Sequence, residues 1–392
     1  MPKACSWMTD RELDDIISRA SKGLLDDKGV ATLAGRLADS GETVSFGHST
    51  ADLASTGGPS SLSTLLGPLF LRSMGLTVPS LGVPGRPAGG VDVLAQIPGY
   101  RTDLSPEEIG RIIETCGYAH FESGRRLAPL DAQLFKYRQA VGAQAVTPLV
   151  IASLLAKKIA VGVQRVGLDV RVAAHGNFGR TNNEARDNAA RFCRVAKILG
   201  LQPTCILTDA SRPYQPFIGR REALVGVLRV LDGRAEGLLE RHAAECVSMA
   251  QATAGDASCM PVRSDVKAAF HANVTAQGGG AYDFDEFERE VLARHRHFIM
   301  AESDGYLSFD LERLRKTLID RQAADAEGHP YPDPVGLILL RDSGQLVTKG
   351  ETVMTVRALE NLWPLLSDEL AQAVSVSSEP EPLTALGEII HG

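Results

Sequence analysis

The stretch Asp52-Leu53-Ala54-Ser55-Thr56-Gly57-Gly58-Pro59-Ser60-Ser61 sets hydroxyls and glycines directly ahead of an apolar run over residues 62–74. Glycines let backbone N–H groups approach an oxyanion closely, and a helix beginning there turns its positive end toward the same point. The stretch therefore reads as an anion cradle. Serine, threonine and glycine in succession also make an ordinary turn and N-cap, and spacing alone leaves both readings open. The apolar run is hydrophobic all round, which predicts a helix buried on every side.

Downstream, a strand is expected at 76–81, followed by Gly82-Val83-Pro84-Gly85-Arg86-Pro87-Ala88-Gly89-Gly90. That second loop is too rich in glycine and proline for regular structure, and the helix expected over 91–96 again starts at a diglycine. Two such loops after successive strand–helix units predict an α/β lobe with a ligand at the loop side of its sheet. Strand-like runs at 166–172 and 203–207, separated by a helical pattern over 182–199, continue the alternation. Asp169 and Asp209 lie within or at the ends of these runs, where both ligand groups and helix caps occur. Residues 222–252 read as helical.

Upstream, Thr9-Asp10-Arg11-Glu12 reads as a capping box, and residues 29–40 carry a second helical pattern. Ser105-Pro106-Glu107-Glu108 is a helix start, with serine at the cap and proline at the first position. Residues 131–163 are helical with an interruption at Thr147-Pro148, where the threonine is expected to cap the second helix. On that helix Ser153 and Lys157 share a face at i, i+4. A lysine there is conspicuous on an apolar helix, although Lys157 and Lys158 also suit a helix end whose side chains reach solvent. Composition shifts at 254–261 and at Gly278-Gly279-Gly280. From Asp333 onward, alternating strands predict a compact α+β unit, with a surface loop at 377–382.

At 392 residues, two or three lobes are expected. Hydrophobic content of 44% and charged content of 23% are ordinary for a globular protein, and a net charge of -7 argues against a nucleic-acid partner. No apolar run is long enough to span a bilayer and residues 1–14 lack the apolar core of a signal peptide, so no membrane partner and a cytoplasmic location are expected. The six cysteines form no C-x-x-C pair, and His295 and His297 at i, i+2 would diverge on a helix. No metal site is assigned.

Taken together, Ser55-Thr56-Gly57-Gly58, Leu66-Gly67-Pro68, Ile97-Pro98-Gly99-Tyr100, Leu127-Ala128-Pro129, the run from Ile151 to Lys158, Leu207-Thr208-Asp209, and Pro334-Val335-Gly336 with Gly344 and Lys349-Gly350-Glu351 resemble the thymidine and pyrimidine-nucleoside phosphorylase family. The likeness runs from about Gly29 almost to the C-terminus. It implies an α/β protein with a small all-helical lobe (1–47 with 131–162), a larger α/β lobe with a mixed sheet (48–130 with 163–255) and a C-terminal α+β domain (262–392). The active site would lie in the cleft between the first two. It further implies cleavage of the N-glycosidic bond of a uracil- or thymine-type nucleoside by inorganic phosphate as co-substrate, with no other cofactor. The partners would then be a nucleoside or nucleobase and phosphate, and a homodimer is a further expectation.

The resemblance carries base binding onto Arg138, Ser153 and Lys157, with Arg138 and Lys157 catalytic, and phosphate binding onto Ser55, Thr56, Gly57, Gly58 and Ser63. Arginine and lysine only donate hydrogen bonds and serine does either, which suits a ring edge of carbonyl acceptors flanking an N–H. Elsewhere the pattern departs. The family lysine and histidine are here Leu53 and Ala54, and the second loop lacks the family's serine and threonine. Gly219-Arg220-Arg221-Glu222 departs from a Gly-Asn-x-x-Glu pattern associated with a monovalent cation. Arg86 is a candidate for the missing charge, with Arg125 and Arg126 as further ones, and His175 for the missing acid. Two alternatives stay open: phosphate-independent nucleoside processing by a hydrolase or other glycosyl transfer, and pyrimidine binding without catalysis.

Overall fold

Helix starts follow local chemistry. In a computed structural model describing residues 7–47, 49–124, 126–322, 331–380 and 387–391, α1 (Asp10–Ser21) opens on the capping box, with Thr9 and Glu12 each accepting from the other's backbone N–H. Asp26 caps α2 (Asp27–Ala38). There follow β1 (Ala51–Ser55), α3 (Ser63–Ser73), β2 (Val78–Gly82), α4 (Gly90–Leu94), α5 (Pro106–Cys116) and β3 (Tyr118–Glu122). The expected Ser105 cap is present on α5, again as a capping box with Glu108. A helical hairpin, α6 (Pro129–Ala140) and α7 (Thr147–Ala160), comes next. Thr147 is the first residue of α7 and not its cap: Val146 holds the cap position and offers no side-chain acceptor.

The strand alternation resumes with β4 (Arg165–Val172), α8 (Asn182–Ile198), β5 (Gln202–Asp209) and the short β6 (Phe217–Ile218). The long helix expected at 222–252 is two helices, α9 (Arg220–Leu231) and α10 (Leu238–Ala254), because glycines at 233 and 237 take left-handed backbone between them. The remainder is α11 (Arg263–Ala276), α12 (Phe284–Ala293), β7 (His295–Met300), β8 (Gly305–Phe309), α13 (Leu311–Gln322), β9 (Val335–Leu339), β10 (Leu346–Val347), β11 (Thr352–Ala358), α14 (Trp363–Ala371), β12 (Val374–Ser377) and β13 (Ile389–His391). Of the loop expected at 377–382, residues 381 and 382 lie outside the described residues.

The expected α/β class with a mixed sheet is what the chain adopts. β1, β4 and β5 run parallel, and β13 closes the β5 edge antiparallel. β2 and β3 form a parallel pair, tied to the start of β1 by a bridge from Thr77 to Thr50. The later strands make two antiparallel sheets, β6-β9-β11-β7 and β10-β8-β12. One core packs Leu33, Leu37, Leu149 and Leu155 of the N-terminal helices against Val166, Leu168 and Val170 of β4. A second gathers Leu65 and Phe70 of α3, Leu224 of α9, Met249 of α10 and Phe270 of α11, and a third fills the C-terminal sheets around Leu307, Leu314, Leu337 and Met354. Because side chains alternate along a strand, the opposite face of β4 carries Gly167, Asp169 and Arg171, and it too is buried. Among the described residues no helix is long and apolar enough to cross a membrane.

Two buried ion pairs lock these layers. Lys158 of α7 reaches Asp52 of β1, joining the helical hairpin to the sheet, so this lysine is not a solvent-reaching helix end. Glu222 of α9 accepts from Arg357 Nε at 2.6 Å and Nη2 at 2.9 Å and contacts His295 Nε2 at 3.0 Å, joining the sheet that holds β7 and β11 to α9. Burial by itself raises the Glu222 pKa, but Arg357 and His295 more than offset it and hold the carboxyl at about 2, against an ordinary 4.5. With the folded value depressed, this carboxylate adds stability above pH 4.5, and the gain disappears as pH falls from 4.5 toward about 2. Urea denaturation across that window should show Glu222→Gln destabilised by about 3–5 kcal/mol at neutral pH and less sensitive to acid than the parent chain. Parallel pH profiles would refute this role.

Candidate active site

The first glycine-rich loop is built on a buried ion pair. Arg171 Nε donates to Asp169 Oδ2 at 2.9 Å, both on the polar face of β4. The same carboxylate accepts the hydroxyl of Ser63 at 2.7 Å and that of Thr208, from β5, at 2.6 Å. Arg171 Nη2 in turn donates to Ser63 Oγ at 3.0 Å, and the Arg171 backbone N–H donates to Thr56 Oγ1 at 3.0 Å. The chain turns away from β1 through Gly57 and Gly58, at φ of 99° and 150°, backbone that glycine adopts readily. A Cβ on Gly58 would lie 3.2 Å from Arg171 Nη1, so the guanidinium sits directly against this loop. Leu62 N–H donates to His242 Nε2 at 2.8 Å, which places that ring's proton on Nδ1, facing Glu245 at 3.2 Å.

This arrangement sorts the phosphate candidates. Ser55 is the last residue of β1 and partly exposed, and Thr56, Gly57 and Gly58 form the turn. Ser63 is buried with its hydroxyl proton committed to Asp169, while its oxygen accepts from Arg171 and, at 3.2 Å, from Ser61. Leu53 is buried against Gly67 of α3, so that position packs core rather than facing the loop.

The second loop is held by Asp92 of α4. Its two oxygens accept from the N–H groups of Gly85 at 2.8 Å and Arg86 at 3.1 Å. Arg220 donates to Asp92 Oδ1 at 2.9 Å and to Arg86 O at 3.2 Å, closing the clamp from the other side. Burial raises the Asp92 pKa to about 6 despite Arg220. A Cβ on Gly90 would fall 2.3 Å from the His120 ring and 3.3 Å from Thr64 O, so the second loop ends against the start of α3. The Arg86 guanidinium crosses to the helical hairpin and lies over the Phe135 ring at 4.8 Å.

On the hairpin, Lys157 Nζ donates to Asp131 Oδ2 at 2.8 Å and to Ser153 Oγ and O at 2.9 and 2.6 Å. Burial lowers the lysine pKa and Asp131 opposes that shift. Asp131 is 1% exposed, and its other oxygen, Oδ1, has no hydrogen-bond partner. Arg138 occupies the same hairpin, but its guanidinium donates to three backbone carbonyls, those of Ala143, Gln144 and Leu149. Burial brings its pKa down to about 10, and Arg86 adds to the effect. Ser153 and Lys157 are thus brought into contact, with Arg138 turned onto the backbone beside them.

His175 lies in the turn after β4, partly exposed, and Arg126 is exposed; Arg125 is outside the described residues. Among the described residues no cluster of histidine, cysteine, aspartate or glutamate could hold a metal ion, and Glu222 already has Arg357 as its cation. A cavity of about 490 Å³ opens beside Thr208, Asp209, Tyr214, Arg241 and His242, and none of the loop or hairpin candidates lines it. Sequence reasoning missed Arg171, Asp131 and Asp92. Their common signal is a charged residue inside an otherwise buried strand or helix, as in Gly167-Leu168-Asp169-Val170-Arg171-Val172.

Removing Lys157 would strand Asp131, which already has one oxygen without a partner. Lys157→Met is expected to cost about 3–5 kcal/mol in urea unfolding, with Asp131→Asn on top recovering part of it. Strict additivity of the two changes would exclude the coupling.

No family model matches this chain. A thymidine phosphorylase of Sinorhizobium medicae is 31% identical over 363 residues, covering 86% of this chain and 81% of that protein. An AMP phosphorylase of Methanococcus maripaludis is 27% identical over 380 residues, covering 92% of this chain and 71% of that one. Among solved structures, the anthranilate phosphoribosyltransferase of Saccharomyces cerevisiae superposes with a TM-score of 0.50 at 11% identity over 74% of this chain and 89% of its own, a likeness of fold alone. Identity at this level over most of both sequences is decisive: the chain belongs to the thymidine and pyrimidine-nucleoside phosphorylase family of pentosyltransferases.

Proposed function

We propose that the chain catalyses phosphorolysis of a pyrimidine nucleoside. A phosphate oxygen bonds to C1′ of the pentose, the C1′–N1 bond breaks, its electron pair leaves with a uracil- or thymine-type ring, and that ring takes up a proton. The products are the free base and a pentose 1-phosphate. Relatives of this family use phosphate as co-substrate and need no cofactor.

The observation that carries this reading is the hairpin corner where Lys157, Ser153 and the unpartnered Asp131 oxygen stand together. A pyrimidine-dione edge presents acceptor, donor, acceptor. Lys157 supplies a donor for one carbonyl, the Arg138 N–H groups left over from its three backbone carbonyls supply one for the other, and Asp131 Oδ1 supplies an acceptor for the N–H between them. An adenine edge, with an amino donor beside a ring-nitrogen acceptor, suits this set less well. Lys157 uses all three of its protons, so it binds a carbonyl by giving up one of its Ser153 contacts. As the glycosidic bond breaks, negative charge grows on the ring beside these cations.

On the phosphate side, Ser55, Thr56, Gly57 and Gly58 form the cradle with the start of α3, and Ser63 acts from beneath it. Arg171 supplies the charge that Leu53 does not. A charged hydrogen bond contributes about 1.5–3 kcal/mol, enough to replace a lost lysine contact. In this reading Arg86 adds a second cation and His175 provides the proton for the departing base.

The committed hydroxyl of Ser63 and the uncharged Ala54 favour one other reading, attack by water. Incubating the protein with uridine or thymidine, with and without phosphate, decides between them. Base release that requires phosphate is expected; equal release without it makes the enzyme a hydrolase, and binding without release makes it a pyrimidine-binding protein. Ser153→Ala should raise the KM for nucleoside about tenfold and leave the KM for phosphate unchanged. An unchanged nucleoside KM would remove the hairpin corner from the site.

A further inference from the structure

Two cysteines far from the glycine-rich loops meet inside the fold. Cys193 on α8 and Cys205 on β5 stand 12 positions apart in sequence. Between them the chain turns at Gly200, which takes left-handed backbone, and α8 packs back against β5, bringing the two sulfurs to 3.7 Å. That is van der Waals contact for sulfur. A disulfide, whose S–S bond is about 2.05 Å, needs a further approach of about 1.7 Å, which the two side chains can share. Cys116 instead turns its S–H to the carbonyls of Ile112 and Tyr118, and Cys246 lies against His242.

The surroundings make the two thiols unequal. A hydrogen bond from Cys205 to the ionised Cys193 sulfur, with Lys197 and Arg194 adding positive charge, brings the Cys193 pKa down against the effect of burial. Burial pushes the Cys205 thiol well up, and Ala189 O is a further neighbour of its sulfur at 3.8 Å. The thiolate is the reactive form of cysteine, so Cys193 is the better nucleophile of the two. Access runs past the edge of the sheet. Ile390 of β13 pairs with Cys205 across the ladder, and its carbonyl lies 3.8 Å from Cys193 Sγ. Cys193 keeps 3% exposure and Ile390 is only partly buried, a route that suits an oxidant as small as hydrogen peroxide.

We propose that Cys193 and Cys205 form a peroxide-sensitive dithiol, with Cys193 as the attacking thiol and Cys205 as the resolving one, whose oxidation ties α8 to β5 by a disulfide. In the first step the Cys193 sulfur bonds to one peroxide oxygen, the O–O bond breaks, and hydroxide leaves and takes the thiol proton as water. The product is a sulfenic acid at Cys193. The Cys205 sulfur then attacks the Cys193 sulfur, the S–O bond breaks, and the departing hydroxide takes the Cys205 proton as a second water. Two thiols lose two electrons, and the peroxide gains them.

Treating the reduced full-length protein with hydrogen peroxide, blocking the remaining thiols with iodoacetamide and mapping the tryptic peptides tests this. The expected product is one chain in which the peptide holding Cys193 is joined to the peptide holding Cys205. Both thiols still open to iodoacetamide after the partly exposed Cys259 has been oxidised overturns the proposal, as does a link that joins two chains or forms only in urea. Single variants test the roles. In Cys205→Ser, dimedone, which captures sulfenic acids, is expected to label Cys193 at least about tenfold more than it labels Cys205 in Cys193→Ser. Equal labelling, or more on Cys205, overturns the assignment of the attacking thiol. The peptide map of the parent chain decides the link even where a variant fails to fold.

Discussion

The ion pair between Asp169 and Arg171 is the constraint on which the rest of the site depends. Two charges on a strand buried on both faces are tolerable only when their remaining hydrogen-bonding capacity is met. Here it is met by Ser63 at the start of α3, which contacts both charges, and by Thr208 on β5. Two neighbours of β4 are thereby held by the charged pair, and the Arg171 backbone N–H holds a third, Thr56. The glycine turn at 57–58 is the place where backbone comes close enough to touch the guanidinium. The conformation of this loop is therefore tied to how the sheet satisfies a buried charge.

The same logic recurs in the hairpin and the second loop. Asp131 holds Lys157, Asp52 holds Lys158, and Asp92 holds both Arg220 and the backbone of the second loop. In each case a buried aspartate on one element pairs with a cation or a loop from another. Arg86 differs: its guanidinium rests on the Phe135 ring and so bridges the second loop to the hairpin.

The sheet that holds β7 and β11 is joined to α9 by Glu222, Arg357, His295 and Asp333. Where the resembling pattern is associated with a monovalent cation, a guanidinium from β11 supplies the positive charge. This substitution ties the C-terminal domain to α9, the helix that also carries Arg220 and so the second loop.

Much of this was legible in the chain alone. Capping boxes at Thr9 and Ser105 start helices because serine and threonine satisfy the free N–H groups of a first turn wherever they stand. Alternation marked β4 and β5, and the order of many weak motifs marked the family, because such signals depend on neighbours in sequence. What the sequence left open was where each polar side chain spends its hydrogen bonds. Leu53 brings no charge to the loop and Arg86 is the candidate its sequence offers, whereas Arg171 reaches it from the neighbouring strand. Ser63 is turned onto Asp169 and Arg138 onto three carbonyls, although their types suit phosphate and base. Local propensity and pattern determined the elements and the family. Only the tertiary structure decided which groups are paired, because a buried donor or acceptor takes its partner from whatever element packs against it, and that packing joins residues far apart in the chain.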